Sequence, residues 1–294
     1  MKQRFQDFRQ EFETVRRLAW EAASVPTDPD LIERDNSELL THISPPVDRL
    51  MRWYFRLDVE GIEHVPRGKA MLVSNHEAGV SFLPVVGMGA RWVMTRGTEE
   101  RVVPLMHDAM FRVPYVGNLL AQFGAVRATP DNALAVLNRG HKLYVCPGGN
   151  LEAFRPFKER YRIKFGGHRG WARIALRSQT PVVPIVFIGG HETFFVLHDG
   201  RDLVRRLGLK RFMRVDTFPI FLGLPWGIGV GPMFHVPLPA KCKVRFLEPI
   251  EPPTLAPGND DDDDKLAELY ERVTSTMQHT LTEMSRRRRF LVMG

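Results

Sequence analysis

From about residue 51 to residue 255, short apolar runs alternate with stretches whose apolar residues recur at helical spacing. A strand that returns through a helix pairs in parallel with its predecessor, so this alternation constrains the fold more than any composition does. It predicts an α/β domain with a mixed, largely parallel sheet flanked by helices. Strands are expected at 54–60, 69–74, 91–95, 142–146, 182–188 and 243–248. Helices are expected at 80–88, 104–111, 114–122, 130–139, 168–178 and 201–207.

The flanks read as helical extensions. Residues 1–50 form an N-terminal helical arm, broken at "SVPTDPD". On its first helix Phe5, Phe8, Phe12, Val15 and Ala19 fall at helical spacing, which suits packing on the domain or lying on lipid. Residues 256–294 open with Gly258, Asn259 and an acidic run, which favours a helix N-terminus. The helix is expected to reach about residue 285, with Leu266, Leu269, Tyr270, Val273, Met277, Leu281 and Met284 on one face. Four arginines follow in "SRRRRFLVMG", as a solvated tail or a contact with anionic lipid.

Net charge is +7 with a pI near 9.6, which favours an anionic partner. Cys146 and Cys242 supply no disulfide framework and point to a reducing compartment. The N-terminus has no long apolar core, so no secretory signal is expected. The longest charge-free run, Phe218 to Ala240, holds four glycines and five prolines. Such a segment cannot keep one helix's hydrogen bonds, which argues against a simple span. Arg201, Arg205, Arg206, Lys210, Arg211 and Arg214 precede it against Asp202. Basic residues beside an apolar loop suit docking on an anionic bilayer, with Arg205, Arg206, Arg211 and Trp226 as contacts; buried core under a loop is the alternative.

In "AMLVSNHEAGVSFLP", Ala70 to Pro84, an apolar strand ends in Ser74-Asn75-His76. Functional groups of open α/β sheets gather beyond the carboxyl ends of strands. Imidazole titrates near pH 6.5, so a histidine there can take a proton from an alcohol, or serve as a structural cap. A second strand, Lys142 to Cys146, runs into Pro147-Gly148-Gly149-Asn150-Leu151-Glu152. Paired glycines allow backbone amides to approach a ligand, or simply make a turn. The basic stretch from Arg155 to Arg173 that follows suits a phosphate-bearing ligand.

The order "SNHEAG", "PYVGNLLAQFGAVRATPDNALAVLNRG", "YVCPGGNLEA" and "GWARIALRSQTPVVPIVFIGG" resembles the glycerolipid acyltransferase superfamily, in the branch of diacylglycerol and phytyl-ester acyltransferases. The resemblance covers roughly residues 50–250. It implies transfer of a fatty acyl group from a thioester, usually acyl-CoA or else an acyl carrier protein, to a hydroxyl. His76 matches the family's general base, preceded by Asn75. Gly148, Gly149 and Glu152 match the block that shapes the substrate site, with Arg155 and Arg127 beside it, and Pro184 lies on the strand that lines the pocket.

The family pattern also holds an aspartate separated from the histidine by four residues. Its place is taken at Phe82, or slightly later at Leu83 or Pro84, and no Asp lies between His76 and Asp108. Glu152 is then the expected orienting acid, with Glu77 or a backbone carbonyl as substitutes. "PGGNLEA" in place of "PEGTR" favours a neutral acceptor, such as diacylglycerol or a long alcohol. The expected function is a membrane-associated O-acyltransferase, peripheral or monotopic on the cytoplasmic face, with acyl-CoA as co-substrate and no further cofactor. A non-catalytic lipid-binding protein is the alternative. The four blocks do not suggest nucleic-acid binding, no GxSxG elbow is present, and no Cys/His cluster supports a metal.

Overall fold

The computed structural model describes residues 2–34, 36–79, 82–206, 217–231, 233, 235–256, 262–288 and 290. The arm is two helices, α1 (Lys2–Ser24) and α2 (Ser37–Tyr54). The α/β body then runs β1 (Asp58–Glu60), β2 (Ala70–Ser74), α3 (Leu83–Arg96), β3 (Val102–Met106), α4 (Asp108–Phe111), α5 (Val116–Gln122), β4 (Val126–Arg127), α6 (Pro130–Asn138), β5 (Lys142–Val145), α7 (Gly149–Ala153), α8 (Gly170–Ser178) and β6 (Val182–Ile188). It continues through β7 (Phe195–His198), α9 (Arg201–Arg206), β8 (Ile220–Gly223), β9 (Gly227–Val230), β10 (Lys243–Phe246) and α10 (Asp263–Arg286).

Seven strands form the main sheet in the order β1-β10-β6-β2-β5-β3-β4. β2 pairs in parallel with both β5 and β6, and β3 pairs in parallel with β5 and β4. β10 joins β6 antiparallel, which makes the sheet mixed but largely parallel, as expected. Every residue of β2 and β6 is buried, as central strands covered on both faces require. Alternate side chains of β2 serve two layers. Met71 and Val73 enter one core with Trp171, Leu176 and the α10 residues Val273 and Leu281; Ala70 and Leu72 enter the other with Phe55, Trp92 and Phe246. α10 buries Leu266, Leu269, Val273, Met277, Leu281 and Met284, the face read from its spacing, with Tyr270 at its margin.

Four elements differ from expectation: the strand expected at 54–60 is confined to Asp58–Glu60, since Tyr54 closes α2, and three others follow. The apolar run 91–95 belongs to α3, where Pro84, Met88 and Trp92 recur every four residues on a buried face. The expected helix at 104–111 is instead strand β3 followed by the short α4. Pro104 stands where pairing passes from β5 to β4. The glycine-rich run 218–240 conceals β8 and β9, which form a second antiparallel sheet in the order β7-β8-β9. Among the described residues no helix is long and apolar enough to cross a membrane.

Candidate active site

β2, β5 and β6 are adjacent, and the turns beyond their carboxyl ends meet. The turn after β2 carries His76 and Glu77, that after β5 carries Cys146 to Gly149, and that after β6 carries Gly190 to Glu192. Asn75 ties two of these ends together: its Nδ2 donates to the Phe187 carbonyl at 3.0 Å, and its Oδ1 accepts from the Phe187 amide at 2.8 Å. The expected substrate-binding role of Asn75 is therefore replaced by a clamp between β2 and β6.

The His76 ring is held by the backbone. Its Nδ1 lies 2.8 Å from the carbonyl oxygen of Glu77. A carbonyl only accepts, so Nδ1 carries the hydrogen and Nε2 keeps its lone pair. Burial and the positive charge of Arg155 lower the imidazole's pKa, against the Glu77 carbonyl, which raises it. The ring is thus neutral at physiological pH and presents a base. It is half-buried and lines a cavity.

Glu152 does not reach the ring. It is fully buried, and its Oε2 accepts from the backbone amide of His76 at 2.8 Å. Its Oε1 accepts from Arg155 Nη1 at 3.0 Å and from the Lys164 amide at 2.9 Å. The expected orienting acid instead anchors the segment from which the ring projects. Burial pushes its carboxyl up, while Arg155 and the two amides pull it down. This ligation also explains a glycine: a Cβ on Gly148 would stand 2.3 Å from Glu152 Cγ. Gly149 adopts φ +47° and its amide donates to the Cys146 carbonyl at 3.2 Å. Both glycines also line the cavity.

Other expected binders lie elsewhere. Arg155 is buried against Glu152. Arg127 pairs with Asp30 at 2.9 Å at the outer edge of the sheet. Pro184 is buried within β6 opposite Val73 and does not line the cavity. Arg205, Arg206 and Trp226 are exposed on α9 and on the β8–β9 turn; Arg211 lies outside the described residues. Counted strictly, four intervening residues put the family's aspartate at Ser81, also outside them, and not at Phe82. Phe82 follows with φ +49° and packs its ring 5.5 Å from that of His76.

Several contributors were not recognised in sequence. His191 Nε2 donates to the His76 carbonyl at 3.2 Å, and burial keeps His191 well below the usual imidazole range. A signal existed: "GHE" follows the apolar run of β6 as "NHE" follows β2. Tyr144 Oη lies 2.7 Å from Ser74 Oγ and 3.3 Å from Cys146 Sγ. Burial pushes the Cys146 thiol up to about 11, which makes it a poor nucleophile. No group of three His, Cys, Asp or Glu suited to a metal occurs among the described residues.

The cavity holds about 680 Å³, within the range of small-molecule sites. His76, Glu77, Tyr144 and Cys146 are among its polar lining groups, with Glu100, Arg101, His107 and His168. The remainder is mostly apolar and is walled by α3 through Met88 and Trp92, and by α2 through Leu40, Ile43 and Val47.

The sequence profile of a family described as Acyltransferase matches residues 56–188, the segment that carries β2, β5 and β6. Over that segment the chain carries the Acyltransferase family's pattern. An uncharacterised protein of Mycobacterium tuberculosis is 34% identical over 244 residues, 82% of this chain and 65% of its own. The chain therefore spans about two thirds of that relative's length. A mouse "DGAT1/2-independent enzyme synthesizing storage lipids" is 29% identical over 65% of this chain and 55% of its own. The crystal structure of the 1-acyl-sn-glycerophosphate acyltransferase of Thermotoga maritima aligns over 85% of both chains at 16% identity, with a TM-score of 0.48.

Proposed function

We propose that this chain transfers a fatty acyl group from a thioester, acyl-CoA in the first instance, to the hydroxyl of a neutral glycerolipid or long-chain alcohol. The reading rests on one observation: a neutral imidazole, fixed through Nδ1, faces a long apolar cavity. His76 Nε2 removes the acceptor's hydroxyl proton as the oxygen attacks the thioester carbonyl. The tetrahedral intermediate collapses with cleavage of the C–S bond. The departing thiolate takes the proton back from the imidazolium, which yields an ester and a free thiol. No residue is acylated in this scheme.

A neutral acceptor is favoured because the two arginines expected to bind substrate are engaged, one of them away from the glycine turn. Arg155 is buried on Glu152, and Arg127 pairs with Asp30. The storage-lipid name of the mouse relative agrees with this choice. We place the reaction at an anionic membrane, on its cytoplasmic face. The second sheet exposes Leu197, Leu222, Trp226 and Ile228, while its inner face packs Val196 and Phe221 against Ala78 and Phe154 beside the site.

The alternative, a lipid-binding protein without turnover, is motivated by Phe82 beside the ring and the acid missing from the sequence. Thioester release with a diacylglycerol or fatty-alcohol acceptor separates the two. His76→Ala is expected to lose at least about 100-fold in turnover, the contribution of a general base, with an unchanged melting temperature. A folded His76→Ala variant with full activity removes the assignment. A wild-type chain that binds lipid but releases no thiol establishes the alternative.

A further inference from the structure

Glu77 is the residue beside the base that the scheme above does not use. It is 5% exposed and lines the same cavity as His76. Neither carboxyl oxygen makes a hydrogen bond of normal geometry among the described residues, although the Val85 amide at the start of α3 is near enough to favour its ionised form. Unpartnered buried carboxyls are costly and are found where a ligand completes them. Its stem is confined on one side, since a Cβ on Gly190 would meet Glu77 Cβ at 2.9 Å. Burial pushes its carboxyl up to about 8, although the Val85 amide pulls the other way. At neutral pH it therefore holds its proton and can donate it in a hydrogen bond.

The chemistry of the cavity says to what. An acceptor hydroxyl must point its hydrogen at His76 Nε2, so it needs no second donor. The thioester carbonyl oxygen gains negative charge during attack and does need one. The Gly149 amide is already spent on Cys146, and the Tyr144 hydroxyl lies within reach of both Ser74 and Cys146. We propose that the Glu77 carboxyl is the polar anchor of the cavity, donating its O–H to the carbonyl oxygen of the bound acyl thioester. This rests on the thioester reading given above.

The test uses two acyl-CoA analogues that cannot react: a ketone with CH2 in place of sulfur, and a thioether lacking the carbonyl. Their Kd values are measured by calorimetry at pH 6.5 and pH 9.5. The other titratable and charged groups on these walls are His76 on its own turn, Glu100, Arg101 and His107 around β3, Tyr144 and Cys146 on and after β5, His168 before α8, and Arg160, Tyr161, His191 and Glu192 on either side of β6, with Cys242 before β10 close by. His76 and His191 are depressed, and Cys146, Cys242, Tyr144 and Tyr161 are raised, so these keep their charge across that window; Glu77→Leu, which retains His107 and His168, is the control for the rest. Arg160 remains charged throughout, and Glu192, raised by burial but paired with Arg288, is common to both analogues.

Wild type is expected to prefer the ketone by about 5–10-fold at pH 6.5, the worth of one hydrogen bond, and to lose that preference at pH 9.5. Glu77→Gln keeps a donor that does not titrate, so its preference persists at both pH values. Glu77→Leu shows none at either. A wild type without preference, or a Glu77→Leu variant that retains it, overturns the inference while leaving the thioester reading intact. If neither analogue binds wild type, the thioester reading fails and the inference falls with it.

Discussion

At the residue scale, two carboxylates next to one histidine have opposite circumstances. Glu152 has three donors on its two oxygens, and among the described residues Glu77 has none in normal hydrogen-bond geometry. Glu152→Gln would turn an amide NH2 toward groups that donate and leave Arg155 buried without its counter-ion. The expected cost is about 3–5 kcal/mol, the usual consequence of breaking a buried pair from one side. Urea denaturation measures it, and a variant as stable as wild type would contradict the anchoring role. Glu77 makes a prediction of the other sign. Unfolded, its carboxyl titrates near about 4.3; folded, near 8. Between these values the folded chain holds the extra proton, so Glu77 subtracts stability progressively as pH rises and no further above about 8. Glu77→Gln should therefore gain on wild type between pH 5 and pH 8, by up to about 1.4 kcal/mol per pH unit. Parallel stability curves for the two proteins would refute the buried, ionisable assignment.

At the scale of elements, strongly periodic segments were legible and context-dependent ones were not. β2, β5, β6 and α10 followed from runs of apolar residues or a clean helical stripe. The swap of strand and helix around residues 91–111 arose because "RWVM" is too short for its period to be decided, and because Pro104 breaks a strand's pattern without ending it. His76, the proposed base, was legible after an apolar strand. A backbone carbonyl was among its expected partners, but a hydrogen bond to a carbonyl leaves no side chain to say which one. Glu152 was found by family resemblance, but which of its neighbours it holds depends on how three turns meet. The β7–β9 sheet was hidden by glycines that read as loop. An antiparallel sheet normally shows a polar outer face, and this one shows leucine, isoleucine and valine. Ile228→Glu with Leu222→Glu should lower co-sedimentation with liposomes of mixed neutral and anionic lipid at every salt concentration. Arg205→Glu with Arg206→Glu should lower it chiefly at low salt, where exposed charges are least screened. Unchanged sedimentation in both double variants would assign the face to something other than lipid.

At the scale of the whole molecule, the parts outside the family match are built into the site. Arg288, at the end of α10, pairs with Glu192 and donates to the Lys241 carbonyl at 2.7 Å, so at least one of the terminal arginines read as a tail is a fastening. Glu192 belongs to the turn whose His191 supports His76. At the opposite end of the chain, α2 supplies a wall of the cavity although it lies before residue 56. In the proposed reaction the base comes from the matched segment, while the surfaces that measure a substrate come both from that segment, through α3, and from the arm, through α2. Mutations in the arm can reshape what fits without touching the base, so the two properties are free to drift apart over generations. Relatives that agree closely from 56 to 188 need not share a lipid, and assigning substrates across them calls for alignment of the arm.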